Sequence, residues 1–146
     1  MKKQSRYLVI IGCGQLGSHL ANKLSLAGDS VVVIDRNERS FENLSSDFSG
    51  FRIEGDATRV GILKEARMEK ADVVVAVSGS DNVNIMVAQV ARSVFGIKHT
   101  VARVYEQNHQ ELCEKMGIRT ICTTRIAAEH FLLEITGQSE QGRTSL

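Results

Sequence analysis

Short β-branched runs alternate with stretches of helical periodicity from one end of the chain to the other, which is the pattern of βαβ units and a parallel sheet. Strands are expected at 7–11, 31–35, 51–54, 73–77, 100–104 and 119–122. Val73-Val74-Val75-Ala76-Val77 is apolar throughout, as suits a central strand covered on both faces. Leu16, Leu20, Leu24 and Ala27 recur at helical spacing before Gly28, which is placed to serve as a C-terminal cap. Phe41, Leu44 and Phe48 predict a second helix, Ile62, Leu63 and Ala66 a short third, and Val83, Val87, Val90 and Val94 a fourth ending at Gly96. Leu112 and Met116 mark a fifth before Gly117. The sixth, over 125–136, carries Ile126, Phe131, Leu132, Leu133 and Ile135 around much of its circumference, so one of its faces needs another partner. Together these elements describe an α/β fold: a Rossmann-type, doubly wound, six-stranded parallel sheet of order 3-2-1-4-5-6 with right-handed crossovers.

With 146 residues, 42% of them hydrophobic, the chain can bury one good core but not two. A single domain over 1–136 is expected, followed by a polar tail, 137–146, that reads as disordered or as a linker to a missing C-terminal domain. Charged residues make up 24%, the net charge is +1 and no long run of one sign occurs, so nothing points to a nucleic-acid partner or a membrane-surface footprint. Met1-Lys2-Lys3 looks like the start of a signal peptide, but glycines cut short the apolar run 7–11, and a cytosolic protein is expected. Cys13, Cys113 and Cys122 form no CxxC pair, which argues against a disulfide framework and fits a reducing compartment. His19, His99, His109 and His130 stand at no metal-ligand spacing, and they read as solvated or core-edge side chains.

The chemistry gathers in the loop Gly12-Cys13-Gly14-Gln15-Leu16-Gly17, a GxGxxG that follows an apolar strand and opens a helix, as the dinucleotide fingerprint requires. Gly12 allows the tight turn, Gly14 lets backbone approach a pyrophosphate, and Gly17 lets the helix pack on the strand. The helix N-terminus then offers free N–H groups and a positive dipole end. Cys13 fits there as a small packed side chain better than as a redox group. Asp35 ends the second strand, where a carboxylate accepts hydrogen bonds from the adenosine ribose and disfavours a 2′-phosphate. Arg36 is placed to cover the adenine face or pair with a phosphate, or else is simply solvated. Gly55-Asp56-Ala57-Thr58 follows the third strand on the same edge, where Asp56 either caps the next helix, bonds the adenine edge, or does both. Ser78, Gly79 and the polar residues up to Asn84 follow the fourth strand near the expected second half of a ligand, and Arg103 ends the fifth within reach of a phosphate.

Gly12 to Gly17, Val33-Ile34-Asp35-Arg36, Gly55-Asp56-Ala57-Thr58, the Asp81 to Asn84 segment and Ala102-Arg103-Val104 together resemble the N-terminal nucleotide-binding half of TrkA and KtrA proteins, the RCK domains that regulate potassium transport. The resemblance covers about residues 6–136 and implies a non-enzymatic regulatory subunit that binds NAD(H), ATP or ADP. It implies a place at the cytoplasmic, inner face of the plasma membrane, on a membrane-embedded potassium channel or transporter. The apolar residues spread around the helix 125–136 predict at least a homodimer through that helix, and the resemblance implies that such pairs assemble into a larger ring. By resemblance the pyrophosphate falls to Gly12, Gly14 and Gly17, the ribose to Asp35, the adenine to Asp56 and Ala57, and phosphate-side contacts to Arg103. Two departures matter. Gln15 stands where ATP-responsive relatives often carry arginine, which favours NAD(H) or ADP, and the family's C-terminal ligand-binding domain is missing, so the chain is an excised fragment or a shortened member.

The main rival is a small NAD-dependent oxidoreductase or a fragment of one, since the same fold and fingerprint serve many dehydrogenases. Such an enzyme needs a substrate pocket and a positioned acid or base, yet Tyr7 and Tyr105 are the only tyrosines and neither has a lysine four residues on. A third reading is a scaffold whose permanent nucleotide only stabilises the fold.

Overall fold

A computed structural model describes residues 4–137 of the chain. In chain order the elements are β1 (Tyr7–Ile11), α1 (Gln15–Leu26), β2 (Ser30–Asp35), a 3₁₀ segment (Glu38–Asn43), β3 (Phe51–Glu54), α2 (Val60–Glu65), a 3₁₀ turn (Met68–Lys70), β4 (Val73–Ala76), α3 (Asp81–Ser93), β5 (His99–Val104), α4 (Gln107–Lys115), β6 (Arg119–Cys122) and α5 (Thr123–Thr136). The strands form one six-stranded parallel sheet in the order β3-β2-β1-β4-β5-β6. This is the doubly wound topology that the alternating pattern predicts, with every expected strand present to within one residue at its ends.

Side-chain alternation along the strands divides the core in two. Val9, Ile11, Val32, Ile34, Val74 and Ala76 face one way, against Leu63, Met68, Val87 and Ala91. Ile10, Val31 and Val33 face the other way, where Ala21 of α1 meets Leu44 and Phe48. Helix α1 ends as the glycine spacing predicts. Gly28 takes φ +98, its N–H donates to the Ser25 carbonyl at 3.1 Å, and the Asp29 N–H reaches the Leu24 carbonyl at 3.1 Å.

Three expectations about helices need correction. No α-helix joins β2 to β3. Asn37 accepts a hydrogen bond from the Arg39 N–H and starts a 3₁₀ segment, after which Leu44 is already extended. Ser45, Ser46 and Asp47 favour turns over helix, so Leu44 and Phe48 reach the core from irregular chain. In α4 the Leu112 and Met116 stripe is not core: both are about half exposed, and Cys113 is the residue that turns toward the sheet. In α5, which begins at Thr123, no residue is buried, so its apolar surface exceeds the single open face expected. On the sheet face that α1 shares, Val101 and Arg103 of β5 are only half-buried, and Ile121, paired with Arg103, is exposed. The tail expected at 137–146 lies outside the described residues beyond Gly137, which closes α5 in a left-handed conformation. No helix among the described residues is long and apolar enough to cross a membrane.

Candidate functional site

At the carboxyl ends of the strands, where the order reverses between β1 and β4, lies a cleft of about 570 Å³. Its walls bring together most of the residues singled out in the sequence: Gly12, Gly14, Gln15 and Leu16; Asp35 and Arg36; Gly55, Asp56 and Ala57; Ser78, Gly79 and Arg103. Cys13, Gly17 and Thr58 do not line it. A depression of about 620 Å³ between the 3₁₀ segment and Arg52 is lined by side chains such as Glu38, Arg39 and Glu42 and has no glycine backbone. Lacking backbone donors of the kind the glycine loop presents, it is the weaker candidate.

The three loop glycines have three separate causes. Gly12 has φ +99, and a methyl there would lie 2.8 Å from the Ser78 Cα and N. At Gly17 a methyl would lie 1.8 Å from the Gly12 carbonyl oxygen, so the residue serves packing rather than contact. Around Gly14 no atom would lie within 4 Å of a methyl, and the residue opens into the cleft. The N–H groups of Gly14, Gln15 and Leu16 make no hydrogen bond, and α1 has neither a side-chain cap nor an acidic residue in its first turn. This positive helix end is therefore available to an anion.

Asp35 braces the loop as well as lining the cleft. Its Oδ2 accepts the Cys13 N–H at 2.8 Å and its Oδ1 accepts the Asn37 N–H at 2.8 Å. Asn43, which the sequence reading missed, donates from Nδ2 to the Cys13 carbonyl at 3.0 Å. Burial, reinforced by the charge of Asp35, pushes the Cys13 thiol up to about 11, so it stays protonated and inert. That agrees with the packing role.

Asp56 accepts from both the N–H (2.9 Å) and the hydroxyl (2.7 Å) of Thr58 through Oδ1, and these bonds hold its carboxyl below the usual carboxylate range. It does not cap α2, whose first flanking residue is Arg59; the capping alternative is thereby corrected. Ser78 spends its donors inward: its N–H and hydroxyl both go to Asn84 Oδ1, at 2.9 and 2.7 Å. Asn84 is wholly buried, and its Nδ2 donates to the carbonyls of Ser78 (3.0 Å) and Arg103 (2.9 Å). The sequence did contain a signal for this strut, because Asn84 falls in register with the buried stripe Val87, Ala88 and Ala91.

Arg103 donates from Nη2 to the carbonyls of Val77 (2.8 Å) and Ser78 (3.0 Å), with its guanidinium 4.8 Å from the Tyr105 ring centre and its buried Nε unpartnered. Asp81 begins α3 and accepts the N–H groups of Tyr105 (2.9 Å) and Glu106 (3.1 Å), while Nδ1 of His109 lies 2.8 Å from its Oδ2. Burial alone would raise the Asp81 carboxyl, but these hydrogen bonds outweigh it and hold the group below its ordinary value. His109 is therefore engaged in a specific pair.

Unsatisfied amide groups on a glycine loop, facing a cleft that also holds an acidic residue from the end of the second strand, define a nucleotide-binding domain of the Rossmann type. More narrowly, the chain belongs to the TrkA-N domain family, which matches residues 8–124. It is 42% identical over 126 residues to the Trk system potassium uptake protein TrkA of Streptomyces coelicolor, covering 86% of this chain and 56% of that relative, so the chain spans little more than half the relative's length. Its fold is that of the Kef CTD of Shewanella denitrificans in AMP-bound form, with a TM-score of 0.76 at 21% identity over 88% of this chain and 79% of that one. The GsuK channel bound to NAD shares the fold with a TM-score of 0.71 at 22% identity, over 89% of this chain and 24% of that one.

Proposed function

We propose that this chain is the nucleotide-binding regulatory module of a potassium channel or uptake transporter, with NAD(H) or ADP as its ligand. The observation that carries the reading is the set of free N–H groups at Gly14, Gln15 and Leu16, facing the same cleft as Asp35. The pyrophosphate would lie against those groups, the ribose hydroxyls against Asp35, and the adenine between Arg36 and the Asp56-Ala57 turn. Arg103 lines the cleft with its guanidinium held by the Val77 and Ser78 carbonyls, and would place a positive charge beside the second half of the ligand. Gln15 offers a terminal phosphate no charge, which favours NAD(H) or ADP over ATP. The NAD and AMP bound by the structural neighbours, and the potassium-uptake name of the Streptomyces relative, support the same assignment.

A regulator accounts for the cleft's ionisable groups better than an oxidoreductase does. Asp35 and Asp56 hold backbone in place, and the nearby Cys13 thiol, which does not line the cleft, is inert. The module would work at the inner face of the plasma membrane as a homodimer through α5, within a larger ring. The experiment is to denature the purified protein, identify any released nucleotide by mass spectrometry, and follow its exchange against excess NAD and ADP. Exchange of an adenine nucleotide is expected; a nucleotide that never exchanges favours the scaffold, and NADH oxidation with a small substrate favours the enzyme.

A further inference from the structure

Asn43 lies outside the cleft and touches no part of the surface assigned to the ligand, yet it grips the residue between the first two loop glycines. The peptide that contains the Cys13 carbonyl also contains the Gly14 N–H. In a trans peptide the two point in opposite directions. With the carbonyl held at 3.0 Å by Asn43, the Gly14 N–H is turned away from the 3₁₀ segment, and no protein atom accepts it. The preceding peptide is fixed independently, because the Cys13 N–H is bonded to Asp35. Asn43 is itself anchored, since the adjoining chain is tied to α1 where the Ser45 N–H donates to Asn22 Oδ1 at 3.0 Å. The short segment that replaces the expected second helix thus delivers a donor to the glycine loop.

We propose that Asn43 is a positioning residue for a bound pyrophosphate, setting the plane of the Cys13–Gly14 peptide so that the Gly14 N–H is aimed into the cleft. This rests on the nucleotide-binding reading above and adds to it a residue that never touches the ligand. Asn43 is exposed, so its substitution removes little core packing. Asn43→Ala deletes the donor; Asn43→Asp sets a carboxylate against the Cys13 carbonyl when ionised and restores a donor when protonated.

Calorimetric titration with NAD, whose pyrophosphate keeps its charge across the range, should show Asn43→Ala binding about three- to tenfold more weakly, with little change in melting temperature. Asn43→Asp should bind more weakly still at about pH 8, and its deficit relative to wild type should shrink only as pH falls to about 4 and below, where an exposed aspartate takes up its proton. A role confined to fold stability would lower the melting temperature and give no such recovery. Wild-type affinity in Asn43→Ala, or an Asn43→Asp deficit that does not change with pH, would overturn the proposal. If the wild type itself bound none of NAD, ADP and AMP, the nucleotide reading would fail first and the proposal would fall with it.

Discussion

At Gly17 an added methyl would sit 1.8 Å from a carbonyl oxygen, whereas at Gly14 it would meet no protein atom within 4 Å. Two substitutions with the same chemistry should therefore act on different properties. Gly17→Ala forces the helix off the loop and should destabilise the fold by about 1–3 kcal/mol or more, read in a urea unfolding curve. Gly14→Ala should leave that curve almost unchanged while weakening NAD and ADP binding, because its methyl projects where the phosphates would lie. Normal binding by Gly14→Ala would mean that the loop cradles nothing. Asp35 could be picked out from its place at the strand end, but the loop it braces could not, because hydrogen bonds to the Cys13 and Asn37 N–H groups depend on local chain direction rather than residue type.

At the scale of elements, Asp81 joins the start of α3 to the start of α4, and its side chain is 9% exposed. Because its folded-state carboxyl lies below the ordinary value of 3.8, the stabilisation is fully present above that value and is lost as pH falls through the lowered one. Asp81→Asn should cost about 1–3 kcal/mol near neutral pH. The gap from wild type should narrow in acid, where the wild-type carboxyl also becomes neutral; a gap independent of pH would show that the charge contributes nothing. The order of strands and helices was legible because β-branched runs and helical stripes alternate so regularly. What was not legible follows from two limits. Apolar spacing at 41, 44 and 48 cannot tell a helix from irregular chain whose side chains reach the same core, and the stripe at 112 and 116 cannot reveal that Cys113 sets which side of α4 faces the sheet. Asn84 was read as one of several polar loop residues, although its place on the buried stripe of α3 marked it as internal.

At the scale of the whole molecule, α5 is left without a buried residue among the described residues. Phe131 is 69% and Ile135 76% exposed, one helical turn apart, and Ile121 lies bare on the neighbouring edge strand. An exposed apolar helix face of this kind is expected to be buried by a second copy across a twofold axis. Replacing Phe131 and Ile135 by aspartate removes nothing from the chain's own core and should convert a dimer into a monomer by light scattering. A wild type that is monomeric at micromolar concentration would refute the dimer. Nucleotide binding in the cleft, more than assembly, would define the module, and calorimetric titration of NAD and ADP into wild type and Asp35→Ala tests it most directly. Saturable binding of one nucleotide per chain is predicted for the wild type, with both ligands weakened together by about 1.5–3 kcal/mol in the folded variant. No saturable binding by the wild type, or an Asp35→Ala variant that binds as well as the wild type, would contradict it.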